Sequence, residues 1–378
     1  MDNRPYQQCL RCVMDTSDPE ITFDKNGFCN HCTKYFEITS KLSYQGEESQ
    51  KQLLPLIDVI KKAGKKSKYD CLVGISGGVD SCYTAYIAKK LGLRVLTAHM
   101  DNGWDSESAV KNIKYIVNKL GLDYESYVLD WEEFRELQLS FLKASVPEAE
   151  TPTDIAILSA LHNIAARNNI KYIISGGNFA TEGILPKSWH YDAKDVKYLR
   201  SIHKQFSTRP LKTFPTFSFL KEFYYKVFRG IRMVYLLNYL PYSKKNARDL
   251  LEKELDWKYY GGKHHESFYT KFIQSYLLFE KFGIDYRRAT YSTMICTGEM
   301  TREEALNDIT NNKSYNILTI EDEKKYICKK LDITTEDLEK IIKLPPKFYY
   351  NYPNNKRMLE FLYNLYRLLK NKNLLKIK

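Results

Sequence analysis

The sequence lacks any hydrophobic run long enough to cross a membrane. Its most apolar long stretch, residues 214–242, is interrupted by five charged side chains, whereas a membrane-spanning helix needs about 20 predominantly apolar residues in succession. The first residues also lack the positively charged segment and apolar core of a secretory signal peptide. We therefore expect a cytoplasmic chain without a transmembrane segment. For residues 214–242 we expect ordinary helix packing, with contact to a membrane surface or to a partner as the alternatives.

Internal repeats and low-complexity segments are also absent. Hydrophobic residues make up 43% of the chain and charged residues 28%, which is the composition of a folded globular protein and excludes a disordered one. The net charge of +12 is spread along the chain, with local concentrations at residues 61–68 and 370–378. Such a balance suits RNA, an anionic membrane surface, a phosphorylated substrate or a solvated surface without a partner. Charge alone therefore does not select a function.

Cysteine is scarce after the first 32 residues, which contain four of the eight cysteines. These four form two Cys-x-x-Cys pairs separated by sixteen residues, the spacing of a four-thiolate zinc site, and residues 25–27 between them predict the turn of a short hairpin. Disulfides do not persist in a reducing cytoplasm, and a redox-active pair would leave the second pair redundant. Because a closed four-sulfur site has no open position for substrate, we expect a structural zinc ion. The predicted ligands are Cys9, Cys12, Cys29 and Cys32.

The other residues that could bind a metal give weaker signals. His31 lies between two predicted ligands, and we expect it to be a bystander and not a fifth ligand. The other cysteines are scattered, and we expect them to be small buried apolar residues. They are Cys71, Cys82, Cys296 and Cys328.

From residue 69 the pattern alternates between strand and helix. Apolar runs predict strands at 69–75, 93–100, 122–130 and 170–177, and helical periodicity predicts helices at 81–92, 106–121 and 151–169. This succession is typical of an α/β fold with a doubly wound parallel sheet. Ligands of such sheets bind at the carboxyl ends of the strands, which here carry the loops SGGVDS, DNGW and SGGNFATEG.

Three segments follow from these patterns. We predict a zinc-ribbon segment over residues 1–45, a nucleotide-binding domain over 46–204 and a mainly helical lobe over 205–378. Two capping boxes support helices in the last segment, because a threonine precedes an acidic residue by three positions. The pairs are Thr301 with Glu304 and Thr334 with Asp337.

The loop SGGVDS, residues 76–81, has the composition of a phosphate cradle without a Walker lysine. Gly77 and Gly78 allow a phosphate to approach the backbone, and the amides at the start of the following helix supply positive potential. Asp80 is unexpected beside an anion unless a divalent cation lies between them, so it is a candidate Mg²⁺ ligand. The alternative is a tight strand-to-helix turn in which Asp80 caps the helix.

These residues resemble the PP-loop of the ATP pyrophosphatases, a superfamily that includes asparagine, GMP and NAD synthetases and several tRNA-thiolating enzymes. Within it the chain is similar to the N-acetyl sugar amidotransferases, which act in the biosynthesis of bacterial surface polysaccharides and flagellin glycans, including O-antigens and sugars of the pseudaminic and legionaminic acid type. The segments that carry the resemblance are CLRCVMDTSDPEITFDKNGFCNHC, GISGGVDS, HMDNGWDSESAVKNI, SGGNFATEG, LPYSKKNARDLLEKELDWKYYGGKHHES and KFGIDYRRATYSTMICTGEMTREEAL. One departure is Cys82, where PP-loop proteins often have a small residue such as serine.

The resemblance implies an enzyme that uses ATP and Mg²⁺ to convert an acetamido group of a nucleotide-linked sugar into an acetamidino group. ATP adenylates the amide oxygen, pyrophosphate leaves, and ammonia then displaces AMP. Lys263 follows two glycines, which suits a loop that closes over the pyrophosphate, although an exposed turn lysine is the alternative; His264 is a candidate acid or base. Asn178 and Glu182 follow the fourth strand, with helix capping as the alternative. The expected nucleotide-binding residues are Ser76, Gly77, Gly78, Val79, Asp80, Ser81, Met100, Asp101, Gly177, Asn178 and Glu182.

The sequence offers no nucleophile for releasing ammonia from glutamine. Position 2 is aspartate, and no cysteine occurs in a Gly-x-Cys-x-Gly turn. The resemblance therefore implies a separate glutaminase partner, with a barrel-type channel subunit as a further candidate, and no nucleic acid. A tRNA thiolase is the main alternative, because some combine a zinc ribbon with a PP-loop and the isoelectric point is near 9.0; the absence of a Cys-x-x-Cys after residue 32 weighs against it. A non-catalytic nucleotide-sensing or zinc-binding module is the third possibility.

Overall fold

The five strands of the protein form a single parallel sheet. The computed structural model describes residues 4–262 and 265–371, and in these residues the strand order is β3-β2-β1-β4-β5 with every neighbouring pair parallel. Because β1 is central and covered on both faces, its residues are almost continuously apolar. The strands are β1 Cys71–Gly74, β2 Val95–Asp101, β3 Asp123–Val128, β4 Tyr172–Ser175 and β5 Arg232–Tyr235.

Helices connect the strands and form the rest of the described chain. None of those between residues 4 and 371 is long and apolar enough to pass through a membrane. In chain order they are α1 Asn30–Leu42, α2 Gly46–Gly64, α3 Val79–Lys90, α4 Glu107–Leu120, α5 Trp131–Ala144, α6 Thr151–Arg167, α7 Phe179–Glu182, α8 Val196–Phe206, α9 Phe219–Val227, α10 Lys244–Leu255, α11 Phe268–Phe272, α12 Leu278–Phe282, α13 Arg287–Thr297, α14 Arg302–Asn311, α15 Ile320–Leu331, α16 Thr335–Lys343 and α17 Lys356–Asn371.

The predicted strands and helices between residues 69 and 177 are confirmed, and the sequence shows why they begin and end where they do. The Ser106 hydroxyl accepts a hydrogen bond from the amide of Ala109 and caps α4, which ends at Gly121 in the left-handed conformation. Both predicted capping boxes are also present, at the start of α14 and α16. The doubly wound α/β prediction with a helical C-terminal region is therefore confirmed.

The prediction of ordinary helix packing for residues 214–242 is only partly right. Residues 219–227 form α9, but β5 follows within the same stretch and pairs with β4 through Ile173 to Met233 and Ile174 to Val234. The last strand of the sheet therefore comes from the segment that was expected to be helical. Gly230, with φ of +65°, separates the helix from the strand, but the four residues of β5 are too few and too close to the apolar helix for their pattern to predict a strand.

The N-terminal cysteine segment and the C-terminal helices share one hydrophobic core. Met14 and Ile21 are buried in the same cluster as Leu277 and Leu338. Polar contacts reinforce this packing, because the amide of Val13 donates to the Ser292 hydroxyl at 3.2 Å. The helical region therefore packs on the start of the chain as well as on the sheet.

Candidate functional site

The candidate site lies where the strand order reverses, between β1 and β4. In parallel sheets of this kind the loops that leave the two strands at such a point diverge and form a ligand crevice. Here the two loops touch at their bases: a Cβ on Gly176 would lie 2.9 Å from the amide nitrogen of Ser81 and 3.0 Å from the carbonyl carbon of Asp80. Glycine at position 176 is therefore required by the close approach of two backbones.

The predicted phosphate loop has the geometry of an anion cradle. Ser81 Oγ accepts from the amide of Ser76 and donates to the carbonyl of Gly78, both at 3.1 Å, and so closes the turn. Gly77 has φ of +82°, and a Cβ there would lie 2.5 Å from the carbonyl oxygen of Ala109. The N-cap of α3 is Gly78, which has no side chain to accept hydrogen bonds from the first amides of the helix. These amides point toward the crevice and suit a phosphate group.

Asp80 does not cap the helix, because it lies in the first turn of α3, after the Gly78 N-cap. The Tyr242 hydroxyl donates to one oxygen of its carboxylate, and Thr181 Oγ1 donates to the other at 3.3 Å. Burial and the nearby Asp80 charge raise the pKa of Tyr242, which keeps this hydroxyl a donor. A carboxylate has about four lone-pair sites, and these two hydrogen bonds use only two of them. The Asp80 carboxylate can therefore also bind a Mg²⁺ ion, and Asp80 stays the predicted Mg²⁺ ligand.

Two buried residues that were not predicted hold the glycine loop from below. The indole N–H of Trp257 donates to the carbonyl of Gly77 at 2.9 Å. Asn112 donates to the same carbonyl at 3.4 Å and exchanges two hydrogen bonds of 2.8 Å with the backbone of Lys258. Trp257 lies 180 residues after Gly77, so no local pattern could have revealed the contact.

Strand β2 contains, near its carboxyl end, a buried histidine that sequence reasoning also missed. His99 Nδ1 lies 2.8 Å from the carbonyl oxygen of Ile75, and its Nε2 lies 2.9 Å from a carboxylate oxygen of Asp105. Both nitrogens face acceptors, which favours the doubly protonated ring. Burial opposes protonation, but the Asp105 carboxylate outweighs it, and the pKa of His99 is raised. A histidine–aspartate pair therefore lies beside the carbonyl of Ile75, directly before the phosphate loop.

The predicted nucleotide-binding residues at the end of β2 and after β4 also have defined positions in the structure. Met100 is buried, and an Asp101 carboxylate oxygen accepts from the amide of Gly103 at 2.9 Å. Asn178 is 6% exposed and caps α7, its side-chain oxygen accepting from the amide of Thr181 at 2.9 Å. The side chain of Asn178 therefore does what the alternative prediction of helix capping expected. Glu182 ends α7 and is exposed, and Gly177 lies against the ring of Tyr235.

Lys263 and His264 lie outside the described residues, and their predicted roles stay predictions. The chain on both sides of them contacts the site. Before them, the Tyr260 hydroxyl lies 3.1 Å from the position of a Cβ on Gly78. After them, the carbonyl of Glu266 accepts from the amide of Ser106 at 2.8 Å, beside the loop that follows β2.

The four N-terminal cysteines form a cluster that fits a zinc ion. All are fully buried, and their sulfur atoms lie within 4.8 Å of one another. Individual sulfur pairs are 3.5 to 3.8 Å apart, close to the edge of about 3.8 Å that a tetrahedron with Zn–S bonds of about 2.3 Å requires. His31 instead contacts Asp18 at 2.5 Å, which agrees with its prediction as a bystander. The predicted turn also forms, with Gly27 at φ of +74°.

The other four cysteines are poor candidates for chemistry. Cys71, Cys82 and Cys328 are buried, as predicted, and Cys296 is half-buried. Burial raises the pKa of all four thiols, that of Cys296 to about 12. At neutral pH they are therefore protonated and weakly nucleophilic.

Comparisons with known proteins agree with this architecture. Residues 51–176 match the family model of NAD synthase, and residues 266–369 match that of the LPS biosynthesis protein WbpG-like C-terminal domain. The chain therefore combines a region similar to NAD synthase with a region similar to the C-terminal domain of WbpG-like LPS biosynthesis proteins. The predicted resemblance to the PP-loop superfamily and to a family of surface-polysaccharide biosynthesis is confirmed at this level.

Individual relatives are similar over limited regions. The tRNA-specific 2-thiouridylase MnmA 2 of Fusobacterium nucleatum is 26% identical over 141 residues, which are 34% of this chain and 41% of that protein. The corresponding enzyme of Clostridioides difficile is 32% identical over 93 residues, 21% of this chain and 25% of the relative. The NH3-dependent NAD synthetase of Campylobacter jejuni is a similar solved structure, with 21% identity and a TM-score of 0.27 over 36% of this chain and 59% of that one. The chain thus spans less than half the length of these curated relatives.

Proposed function

We propose that this chain, a PP-loop protein with a WbpG-like C-terminal domain, is the synthetase component of an amidotransferase that converts an acetamido group of a nucleotide-linked N-acetyl sugar into an acetamidino group. The observation that supports it is where the two matched regions meet. Glu266 and Ser267, the first residues of the WbpG-like region, pair with Ser106 and Asp105 next to the phosphate loop. The region that matches the WbpG-like domain therefore borders the proposed ATP site, as this function requires.

The proposed reaction begins with the acetamido oxygen, because an amide carbon is a weak electrophile. This oxygen attacks the α-phosphorus of ATP, the bond to the β-phosphate oxygen breaks, and pyrophosphate leaves. Ammonia then adds to the activated carbon, AMP departs with the former amide oxygen, and loss of one proton from the added nitrogen leaves the acetamidino group in its protonated, cationic form. The net change replaces one oxygen of the sugar by an NH group.

The site offers matching groups for the first step. The backbone amides at the start of α3 would stabilise negative charge that develops on the departing pyrophosphate. Asp80 would hold Mg²⁺, which neutralises phosphate charge when bound. Lys263 is proposed as a further cation for the pyrophosphate, and His264 as an acid or base.

Thiolation of tRNA is the second candidate, supported by the similarity to 2-thiouridylases. Sulfur transfer needs a reactive thiol or a cluster to carry the sulfur. All eight cysteines lie in the described part of the chain: four form the buried zinc-type cluster, and the others have raised pKa values. This distribution favours ammonia over a persulfide as the attacking group.

The same thiols are unsuited to releasing ammonia from glutamine. We therefore propose a glutaminase partner, with a barrel-type channel subunit as a candidate third component. A sheltered path for ammonia would also keep water from hydrolysing the adenylated sugar.

The decisive experiment incubates the full chain with ATP, Mg²⁺, ammonium and a series of nucleotide-linked N-acetyl sugars. We expect AMP and pyrophosphate in equal amounts, together with a sugar whose mass reflects replacement of oxygen by NH. ADP as the nucleotide product, or turnover that needs tRNA and ignores the sugar, would contradict the proposal.

A matched pair of variants connects the activity to the loop. Asp80→Asn should lower the rate of pyrophosphate release by about 100-fold or more, because the amide is a poor Mg²⁺ ligand. Asp58→Asn removes a carboxylate from an exposed position of α2, and its rate should equal that of the wild type.

A further inference from the structure

Helix α17 has an apolar row that faces solvent. Four side chains spaced by three, four and three residues lie on one side of the helix, and between 40% and 66% of each is exposed: Met358, Phe361, Leu365 and Leu368. The other side of the helix holds it to the body of the protein. Leu359 is buried there, and the Tyr363 hydroxyl donates to Asp192 at 2.5 Å. The helix is therefore anchored by one face while its second apolar face has no cover within the described residues.

The charge around this row is strongly positive. Residues 356–378 contain seven Lys or Arg and a single acidic residue, Glu360. Arg357 and Arg367 are exposed on α17 itself. The sequence of residues 372–378 adds three lysines and three apolar residues and no acid. An apolar helix face with flanking cations matches an anionic lipid surface, where apolar side chains enter the headgroup region and cations meet phosphates.

The neighbouring helix α9 and the residue directly after it also expose large apolar side chains. It packs beside α17 through Phe219 and Tyr363, whose rings are 5.4 Å apart. Leu220 and Phe228 are nevertheless 73% and 71% exposed. Single exposed apolar residues are ordinary, but two adjacent helices that each expose large ones beside basic residues form an apolar and basic surface.

A second copy of the chain fits this surface less well. The spacing of the row also suits a coiled-coil seam, but the exposed Arg357 and Arg367 lie on the same helix. Two copies would in addition bring two strongly basic segments together, whereas an anionic surface complements them.

We propose that α17 binds the protein peripherally to anionic membranes through its exposed apolar row and the basic residues beside that row. Phe361, Leu365 and Leu368 enter the headgroup region, and Arg357 and Arg367 contact lipid phosphates. This inference is independent of the proposed reaction, so either can fail alone.

The test is sedimentation of the full-length protein with vesicles of phosphatidylcholine alone or of phosphatidylcholine mixed with phosphatidylglycerol. We expect binding to the anionic vesicles only, weakened by added salt. Phe361→Asp combined with Leu365→Asp should reduce binding at least about tenfold. Arg357→Gln combined with Arg367→Gln should weaken binding to the anionic vesicles and should make that binding less sensitive to added salt.

The control is Leu318→Asp, which adds a charge at a residue that is 91% exposed in a loop and should leave binding unchanged. Thermal unfolding of each variant verifies that it is folded. Equal binding to both kinds of vesicle, or full binding by the Phe361 and Leu365 variant, would overturn the proposal. A dimer in light scattering that this variant converts to monomer would identify a second copy as the occupant instead.

Discussion

At the scale of single residues, Gly176 links the two loops of the candidate site. The backbone of Asp80 and Ser81 occupies the space that a Cβ at position 176 would need. We expect Gly176→Ala to push these loops apart, to weaken ATP binding at least about tenfold and to lower the free energy of unfolding by about 1–3 kcal/mol. Calorimetric titration with ATP and denaturant unfolding measure the two effects.

Gly298→Ala is the matched control for this prediction. Gly298 has φ of +78° and no neighbour within 4 Å of its Cβ position. Alanine there should cost about 1–2 kcal/mol of stability through backbone strain, with ATP affinity unchanged. Equal losses of ATP affinity in both variants would mean that the Gly176 effect comes from general destabilisation.

His99 makes stability depend on pH with a definite sign. Its pKa is raised because Asp105 outweighs the burial that opposes the charge. The stabilisation is therefore fully present below the unfolded-state pKa of about 6.5 and is lost as pH rises through the folded-state value. We expect the difference in unfolding free energy between wild type and His99→Gln to shrink as pH rises through this range, as measured by urea unfolding at a series of pH values.

His162 is a control for this measurement, because its contribution to stability should depend on pH in the opposite direction. Burial lowers its pKa, so folding favours the neutral ring and its contribution is lost as pH falls. The difference between wild type and His162→Gln should thus grow with pH. If the His99 difference does not change with pH, His99 is not charged in the folded protein.

At the scale of elements, the N-terminal cysteine cluster is held by a helix from the other end of the chain. Arg302, in the first turn of α14, donates to the carbonyls of Cys9 and Cys12 at 2.9 and 3.1 Å. The cluster therefore stabilises the docking of α13 and α14 as well as its own knuckles. Metal binding to such a site also contributes directly to folding free energy.

We expect the purified protein to contain one zinc ion per chain, and Cys9→Ser combined with Cys29→Ser to lose it. Since the cluster and the C-terminal helices share a core, this variant should unfold at least about 5 °C below the wild type. Metal analysis and calorimetry measure the two quantities. Cys296→Ser, outside the cluster, should keep its zinc. A metal-free chain that unfolds at the wild-type temperature would refute the prediction.

The elements also explain how far the sequence could predict the fold. Strands β1, β2 and β4 are apolar runs bounded by glycine or polar loops, so local patterns were sufficient for them and for α3, α4 and α6. Helix α5 was not predicted, although Asp130 caps it. Strand β5 escaped prediction because Arg232–Tyr235 is only four residues long and closely follows the apolar helix α9. Its identity as a strand depends on pairing with β4, which is a long-range contact.

The same reasoning applies to the site at the scale of the whole molecule. The glycine loop was predictable because its turn and following helix are local. Its supports come from far along the chain: Trp257 bonds to Gly77, and Tyr242 bonds to Asp80. These contacts join positions more than 150 residues apart, and no periodic pattern in the sequence indicates them.

Because of these contacts, the nucleotide site needs the second half of the chain. A fragment of residues 1–204 lacks β5, Tyr242 and Trp257, so the edge of β4 loses its partner strand and the carbonyl of Gly77 keeps only the weaker hydrogen bond from Asn112. We expect this fragment to bind ATP at least about tenfold more weakly than the full chain and to unfold without a cooperative transition, since unpaired buried groups cost about 1–3 kcal/mol each. Calorimetric titration and circular dichroism provide the measurements.

A single substitution in the full chain separates the contact from the truncation. Trp257→Phe keeps a large buried ring but removes the indole N–H that donates to Gly77, leaving the weaker Asn112 bond at 3.4 Å. We expect a loss of about 1–2 kcal/mol in unfolding free energy and a measurable loss of ATP affinity, while zinc content stays at the wild-type value. If both the fragment and Trp257→Phe bind ATP like the full chain, the N-terminal half holds the nucleotide alone and the C-terminal contacts serve only packing.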